Sequence, residues 1–224
     1  MSEDGKPLNI KVVLLGESGV GKTSIISQFV NQTFQEDVET SSSSTYNSKT
    51  VIYDENQVLK LEIWDTAGQE KYRSLASMFY KESSAAILVY DITRKESFEQ
   101  LQEYWVGQVK ENGPTNVILA LCGNKSDLIN EEQVDEGEAR NYAKEINALF
   151  YPTSAKNDYG ITDLFLQIVK IYTNSDNVRL KTDKDEIFES TMSNTFNTSQ
   201  QRGSVKITKE EQSSKTEVKK KKCC

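Results

Sequence analysis

The chain has 224 residues, 36% of them hydrophobic and 27% charged, with a formal net charge of −7. It contains no histidine and only three cysteines, which excludes imidazole-based acid–base catalysis and a disulfide framework alike. Residues 175–222 carry a net +3 while residues 1–174 carry a net −10, and so acidic a body disfavours nucleic acid, whose binding runs on phosphate neutralisation.

No stretch approaches the ~20 apolar residues of a membrane span. The start, Met1-Ser2-Glu3-Asp4, has neither a signal peptide's charged-then-apolar layout nor a Met-Gly myristoylation site. A reducing cytosol is the expected surrounding.

The first apolar run, Ile10 to Leu15, suits a buried parallel strand. It leads straight into Gly16-Glu17-Ser18-Gly19-Val20-Gly21-Lys22-Thr23, and a helical pattern opens at Lys22 with Ser24 in its first turn. Glycines at this spacing let the backbone N–H groups from Ser18 through Gly21 curl around a phosphate. Lys22 adds a point charge for the outer phosphates and Thr23 offers a hydroxyl to Mg²⁺. The helix also directs its positive dipole end at the same anion. Phosphoryl transfer by positioning is a chemistry that needs no histidine.

Residues Thr50–Tyr53 and Val58–Trp64 alternate in polarity around Asp54-Glu55-Asn56 and are predicted to form a hairpin. At its far end stands Asp65-Thr66-Ala67-Gly68-Gln69. Asp65 can hold a water on Mg²⁺, and the Gly68 N–H can meet a γ-phosphate with no side chain in the way. A helix is predicted after Gln69. Further strands are predicted at Ala85–Tyr90, Val117–Cys122 and around Leu149–Tyr151, with helices announced by the capping boxes Thr93-x-x-Glu96 and Asp135-x-x-Glu138. The last helix carries the stripe Ile161, Leu164, Phe165, Ile168, Val169 and Tyr172.

After the strand ending at Cys122-Gly123 comes Asn124-Lys125-Ser126-Asp127. A carboxylate at Asp127 can accept from both N1–H and the 2-amino group of guanine. Adenine lacks that donor pair, and sites of this kind reject the wrong ligand by factors on the order of 10⁴. Ser154-Ala155-Lys156 follows another strand, where a backbone N–H can reach guanine O6 and Lys156 can cover the base. These pieces together predict a guanine-nucleotide site in an α/β P-loop NTPase sandwich of three layers. Its sheet is expected to be six-stranded and mostly parallel, with one antiparallel edge strand. The domain is expected to span residues 1–174. Beyond it, residues 175–224 are Ser/Thr/Asn/Lys/Glu-rich and are expected to form a disordered tail.

Over about residues 8–173 the chain resembles a Rab-branch small GTPase of the Ras superfamily. Besides the nucleotide motifs, the likeness rests on Lys60-Leu61-Glu62-Ile63-Trp64, Lys71-Tyr72-Arg73-Ser74-Leu75-Ala76 and Leu88-Val89-Tyr90-Asp91-Ile92-Thr93. Within the branch it is most similar to the early-endosomal Rabs, through Gly16-Glu17-Ser18, Ser74-Leu75-Ala76 and Ala85-Ala86. The resemblance implies a GTP/GDP switch in vesicle trafficking that hydrolyses GTP slowly by itself. It implies that Lys22 binds the β- and γ-phosphates, Thr23 ligates Mg²⁺, Gln69 orients the attacking water and Phe34 packs on the guanine. Asn124, Lys125 and Asp127, with Ser154, Ala155 and Lys156, would hold the base. Tyr46, Trp64 and Phe79 would form the aromatic triad that faces effectors.

One position departs from the pattern. Where Rabs carry the switch I threonine this chain has Ser41, within Thr40-Ser41-Ser42-Ser43-Ser44-Thr45. Ser41 still offers a hydroxyl to Mg²⁺, but Ser42-Ser43 stand in place of Ile-Gly, and a less firmly ordered switch I is expected. That leaves open a GTP-binding adaptor with weak hydrolysis. A metabolic P-loop kinase is the other alternative, opposed by Asn124 and Asp127.

Lys219-Lys220-Lys221-Lys222-Cys223-Cys224 resembles the Rab site for double geranylgeranylation, with lysines to favour an anionic leaflet. The resemblance further implies effectors, an exchange factor, a GTPase-activating protein and a prenyl-binding chaperone around a monomer. It would work on the cytoplasmic face of endosomal membranes, with a cytosolic pool.

Overall fold

The computed structural model describes residues 8–36, 44–54, 57–66, 78–182 and 185. Its elements in chain order are β1 (Leu8–Leu15), α1 (Lys22–Asn31), β2 (Thr45–Tyr53), β3 (Gln57–Asp65) and β4 (Ala85–Asp91). There follow α2 (Lys95–Gln100), a π-helical turn (Leu101–Trp105), α3 (Val106–Asn112) and β5 (Ile118–Asn124). A 3₁₀ turn (Ser126–Glu131), α4 (Glu136–Glu145), β6 (Leu149–Pro152), α5 (Ile161–Thr173) and β7 (Val178–Leu180) complete the sequence.

The strands form one sheet in the order β6-β5-β4-β1-β3-β2-β7. Strands β1, β3, β4, β5 and β6 run parallel, while β2 is antiparallel to both β3 and β7. The expected six strands with one antiparallel edge strand are therefore corrected to seven, with β2 and β7 together at that edge. β7 is only three residues long and has almost no pattern of its own. It pairs Val178 with Tyr53 and Leu180 with Val51, so it exists because β2 presents an unpaired edge. The ordered chain thus continues past Asn174.

Alternation along the parallel strands separates two apolar layers. Ile10, Val12 and Leu14 of β1 face one way, with Ile87 and Val89 of β4, onto α1 and α5. Val13 and Leu15, with Leu88 and Tyr90, face the other way onto α2, α3 and α4. The predicted α5 stripe buries Ile161, Leu164, Phe165, Ile168 and Val169, and Phe165 stacks on Phe29 of α1 with centroids 4.0 Å apart. All seven residues of β4 are buried, as a central parallel strand covered on both faces requires.

The capping expectations divide. Asp135 caps α4 by accepting from the Glu138 N–H at 3.0 Å. Thr93 does not cap α2; its hydroxyl donates instead to Asp91 Oδ1 at 2.7 Å, and Arg94 takes the N-cap position. A local side-chain acceptor has outcompeted the helix end.

The chain divides into two compact units, Met1–Lys181 and Thr182–Cys224. In the second, Thr182 donates through both its N–H and its hydroxyl to Asp185 Oδ2 at 2.8 Å.

Candidate nucleotide-binding site

Because five strands are parallel, their carboxyl ends share one rim of the sheet, and each motif follows its own strand there. A cavity of about 320 Å³ opens at that rim. Ser18, Gly19, Gly21, Lys22, Thr23 and Ser24 line it from the β1–α1 loop, and Phe34 from beyond α1. Thr66, Asn124, Lys125, Asp127, Ala155 and Lys156 line it from the loops after β3, β5 and β6. The sequence-predicted residues Val20 and Ser154 support this lining from behind, being 0% and 1% exposed.

The phosphate end is built around two glycines. Gly16 has φ +146° and a Cβ there would lie 2.2 Å from the Val89 carbonyl oxygen. Gly21 has φ +94° and its Cβ would lie 2.3 Å from Asn124 Nδ2. Only glycine allows this backbone to lie so close to β4 and β5. Lys22 folds back over the loop and donates to the Gly16 and Glu17 carbonyls at 2.9 and 2.8 Å. Burial pulls its ammonium down to about 8, against the attraction of Asp65 and Glu17. An anionic phosphate would relieve that penalty.

Beside it, the Thr23 hydroxyl donates to Asp65 Oδ2 at 2.6 Å. Asp65 is 1% exposed, and burial raises its carboxyl above the usual range, with Thr23 and Lys22 opposing. Its other oxygen, Oδ1, is buried without a hydrogen-bond partner among the described residues. A hydroxyl beside an under-satisfied carboxylate is an oxygen donor set that fits Mg²⁺ and its bound waters.

At the base end, Asp127 accepts from the Ser154 hydroxyl at 2.6 Å, which fixes the carboxylate that the sequence assigns to guanine. Asn124 spends its side chain on the protein. Its Nδ2 donates to the Val20 carbonyl at 2.8 Å and its Oδ1 accepts from Thr153 at 3.2 Å, so it ties the phosphate loop to the base loop. Behind it the Cys122 thiol and Thr153 hydroxyl share a hydrogen bond at 3.0 Å, and burial pushes that thiol up to about 12. Cys122 is a core residue.

The aromatic triad is assembled. Tyr46 meets Trp64 edge-on at 5.3 Å and Trp64 meets Phe79 at 5.7 Å between centroids. Tyr46 is 46% exposed. Among the remaining predicted residues, Ser41, Gly68, Gln69, Cys223 and Cys224 lie outside the described residues.

Several lining residues carry no sequence motif. Gln35, Glu36 and Leu128 contribute to the cavity wall. Glu36 pairs with Lys156 at 2.7 Å, a hydrogen bond that holds the Glu36 carboxyl low and the Lys156 ammonium high. Thr66, inside the Asp65 motif, donates to the Leu14 carbonyl at 2.6 Å and pins that loop to β1.

Comparison with known proteins agrees with this geometry. The family model described as the Ras family matches residues 11–174. The chain is 45% identical to the Ras-related protein Rab-22A of Homo sapiens over 167 residues, covering 75% of this chain and 85% of that protein. It is 46% identical over 156 residues to the Ras-related protein Rab-31 of Rattus norvegicus, covering 70% and 79%. It is 43% identical over 164 residues to the GTP-binding protein ypt5 of Schizosaccharomyces pombe, covering 73% and 77%. A glycine-built loop at the end of β1, the Asp127 carboxylate fixed at the same rim and relatives of this similarity converge on one conclusion: the chain belongs to the Ras family, as a GTPase of its Rab branch.

Proposed function

We propose that this GTPase is a lipid-anchored switch of endosomal vesicle trafficking. The observation that carries the nucleotide part is a shared cavity that Lys22 and Thr23 line together with Asp127, the latter held by Ser154. In this reading the backbone from Ser18 to Ser24 cradles the phosphates, Phe34 covers the guanine, and Ala155 and Lys156 close the base pocket. Water attacks the γ-phosphoryl group of GTP, giving GDP and phosphate, with Gln69 orienting that water. Thr23, Ser41 and, through water, Asp65 are the residues that would hold Mg²⁺, which would supply neutralisation of the phosphate charge when bound.

GTP would order residues 34–46 and 68–79 around the γ-phosphate, and hydrolysis would release them. That change is displayed at Tyr46, Trp64 and Phe79, where effectors would read it. A partner protein supplies the arginine that speeds hydrolysis by about 10³–10⁵ in related GTPases. Cys223 and Cys224 would carry geranylgeranyl groups, with exchange factor and prenyl-binding chaperone as further partners. The resemblance to early-endosomal Rabs supports the organelle.

Single-turnover hydrolysis of GTP by the wild type and by Gln69→Leu tests the switch. A slow wild-type rate that the variant abolishes is expected; equal near-zero rates would favour a GTP-binding adaptor. Tagged protein should move from endosomal membranes to the cytosol when Cys223 and Cys224 are removed, and unchanged membrane location would refute the anchor.

A further inference from the structure

At the end of β4, whose interior is wholly apolar, stands a carboxylate that belongs to none of the nucleotide motifs. Asp91 is 1% exposed. Its Oδ1 accepts from the Thr93 N–H and hydroxyl at 2.9 and 2.7 Å. Its Oδ2 receives Lys125 Nζ at 2.6 Å and Arg94 Nε at 3.4 Å.

The two cations lead to opposite ends of the cavity. Lys125 sits between Asn124 and Asp127 in the base loop, with a left-handed backbone at φ +67°. That conformation is uncommon for a non-glycine residue. Arg94 reaches the other way and donates through Nη2 to the Ser18 carbonyl at 2.9 Å. Ser18 is the residue just ahead of Gly19, Val20 and Gly21 in the phosphate loop. Main-chain hydrogen bonds already fasten this part of the fold, from Ile92 N–H to the Asn124 carbonyl and from Val134 N–H to the Ile92 carbonyl.

We propose that Asp91 and Arg94 are positioning residues that join the base loop and the phosphate loop into one unit. Asp91 governs retention of the whole guanine nucleotide, and Arg94 governs retention of its outer phosphate. Neither touches the reacting atoms. Asp91 acts through Lys125 on the base side and through Arg94 on the phosphate side. The inference rests on the guanine-nucleotide reading of the cavity.

The test uses the full chain stripped of nucleotide, with equilibrium affinities for GDP and GMP measured side by side. Arg94 is 45% exposed, so Arg94→Gln leaves the core untouched. It should weaken GDP binding about three- to tenfold, the span of one partly solvated charge-assisted hydrogen bond, and change GMP binding by less than about twofold. Asp91→Asn should weaken GMP by about tenfold and GDP by more than that, since it loosens the base loop and takes away the anchor of Arg94 as well. In the double variant, the Arg94 substitution should add less than it does alone, because its anchor has gone.

Equal losses for GDP and GMP in Arg94→Gln would overturn the division of labour. Strict additivity in the double variant would overturn the coupling. Thermal midpoints run in parallel: a fall in midpoint with an unaltered GDP-to-GMP ratio in both variants would reduce the pair to structural supports and overturn the proposal. Wild-type protein that binds neither ligand would overturn the guanine reading itself, a different and recognisable failure.

Discussion

Replacing Gly21 by alanine should cost far more than replacing Gly19, although both have left-handed backbones at φ +94° and +76°. Adding a Cβ in that conformation costs about 1–2 kcal/mol at either position. At Gly19 the cost ends there, because the nearest atom to the new Cβ is Arg94 Nη2 at 3.9 Å. At Gly21 the Cβ would stand 2.3 Å from Asn124 Nδ2, and the Asn124 side chain must leave. With it go the bonds to the Val20 carbonyl at 2.8 Å and from Thr153 at 3.2 Å.

Val20 and Asn124 are 0% and 2% exposed, so the Val20 carbonyl and the displaced Asn124 amide are left without partner or water, while Thr153 keeps its bond to Cys122. Each such orphan costs about 1–3 kcal/mol. The sum for Gly21→Ala is about 4 kcal/mol or more, against about 1–2 kcal/mol for Gly19→Ala. For a domain of this size the midpoint falls by about 2–4 °C per kcal/mol. Thermal unfolding of nucleotide-stripped protein should therefore separate the two variants by roughly 10 °C. In the double variant with Asn124→Ala, the Gly21 penalty should shrink towards the Gly19 value. Equal losses at Gly19 and Gly21, or an undiminished penalty in that double variant, would refute the argument that Asn124 occupies the space beside Gly21.

Two further outcomes follow from the charges around the cavity. Burial lowers the Lys22 ammonium to about 8, and bound phosphate would raise it again, so GDP binding should take up a proton increasingly between about pH 7 and 9. Calorimetry in buffers of different ionisation enthalpy reads that uptake; none across the range would contradict the buried charge. The sign for folding agrees: the cost of the lowered Lys22 is fully present below about pH 8 and fades as pH rises towards its unfolded value. Lys156→Gln removes the partner of Glu36 at the cavity mouth and should speed GDP release by less than about fivefold, a difference that disappears in high salt because the pair is exposed. A salt-independent difference would mean that Lys156 acts on the base alone.

The lining of the cavity was legible in the sequence wherever a motif followed its own strand. The glycine spacing before Lys22, Asp65 after an alternating strand and Asp127 after a buried one each carry local geometry that tertiary context does not overrule. What escaped depends on partners far away in the chain. Arg94 looks like an ordinary surface charge until Ser18, on another loop, is brought to it. Asp91 had a signal, as the one charge ending an apolar run, but nothing showed that Lys125 would arrive beside it. Thr93-x-x-Glu96 imitated a capping box because sequence spacing cannot show that Asp91 claims the threonine hydroxyl. The π-turn at Leu101–Trp105 left no mark in an otherwise helical pattern. β7 escaped because three residues cannot express a period.

That last strand has a practical consequence. A fragment trimmed after Asn174, where the helical stripe gives out, would forfeit the Ser175 hydroxyl on Asp54 and the backbone mates of Val51, Ile52 and Tyr53. Bare amides and carbonyls would then flank three apolar side chains, an adhesive border of the kind through which sheets of separate molecules stick together. Carrying the chain to Lys181 keeps that border closed.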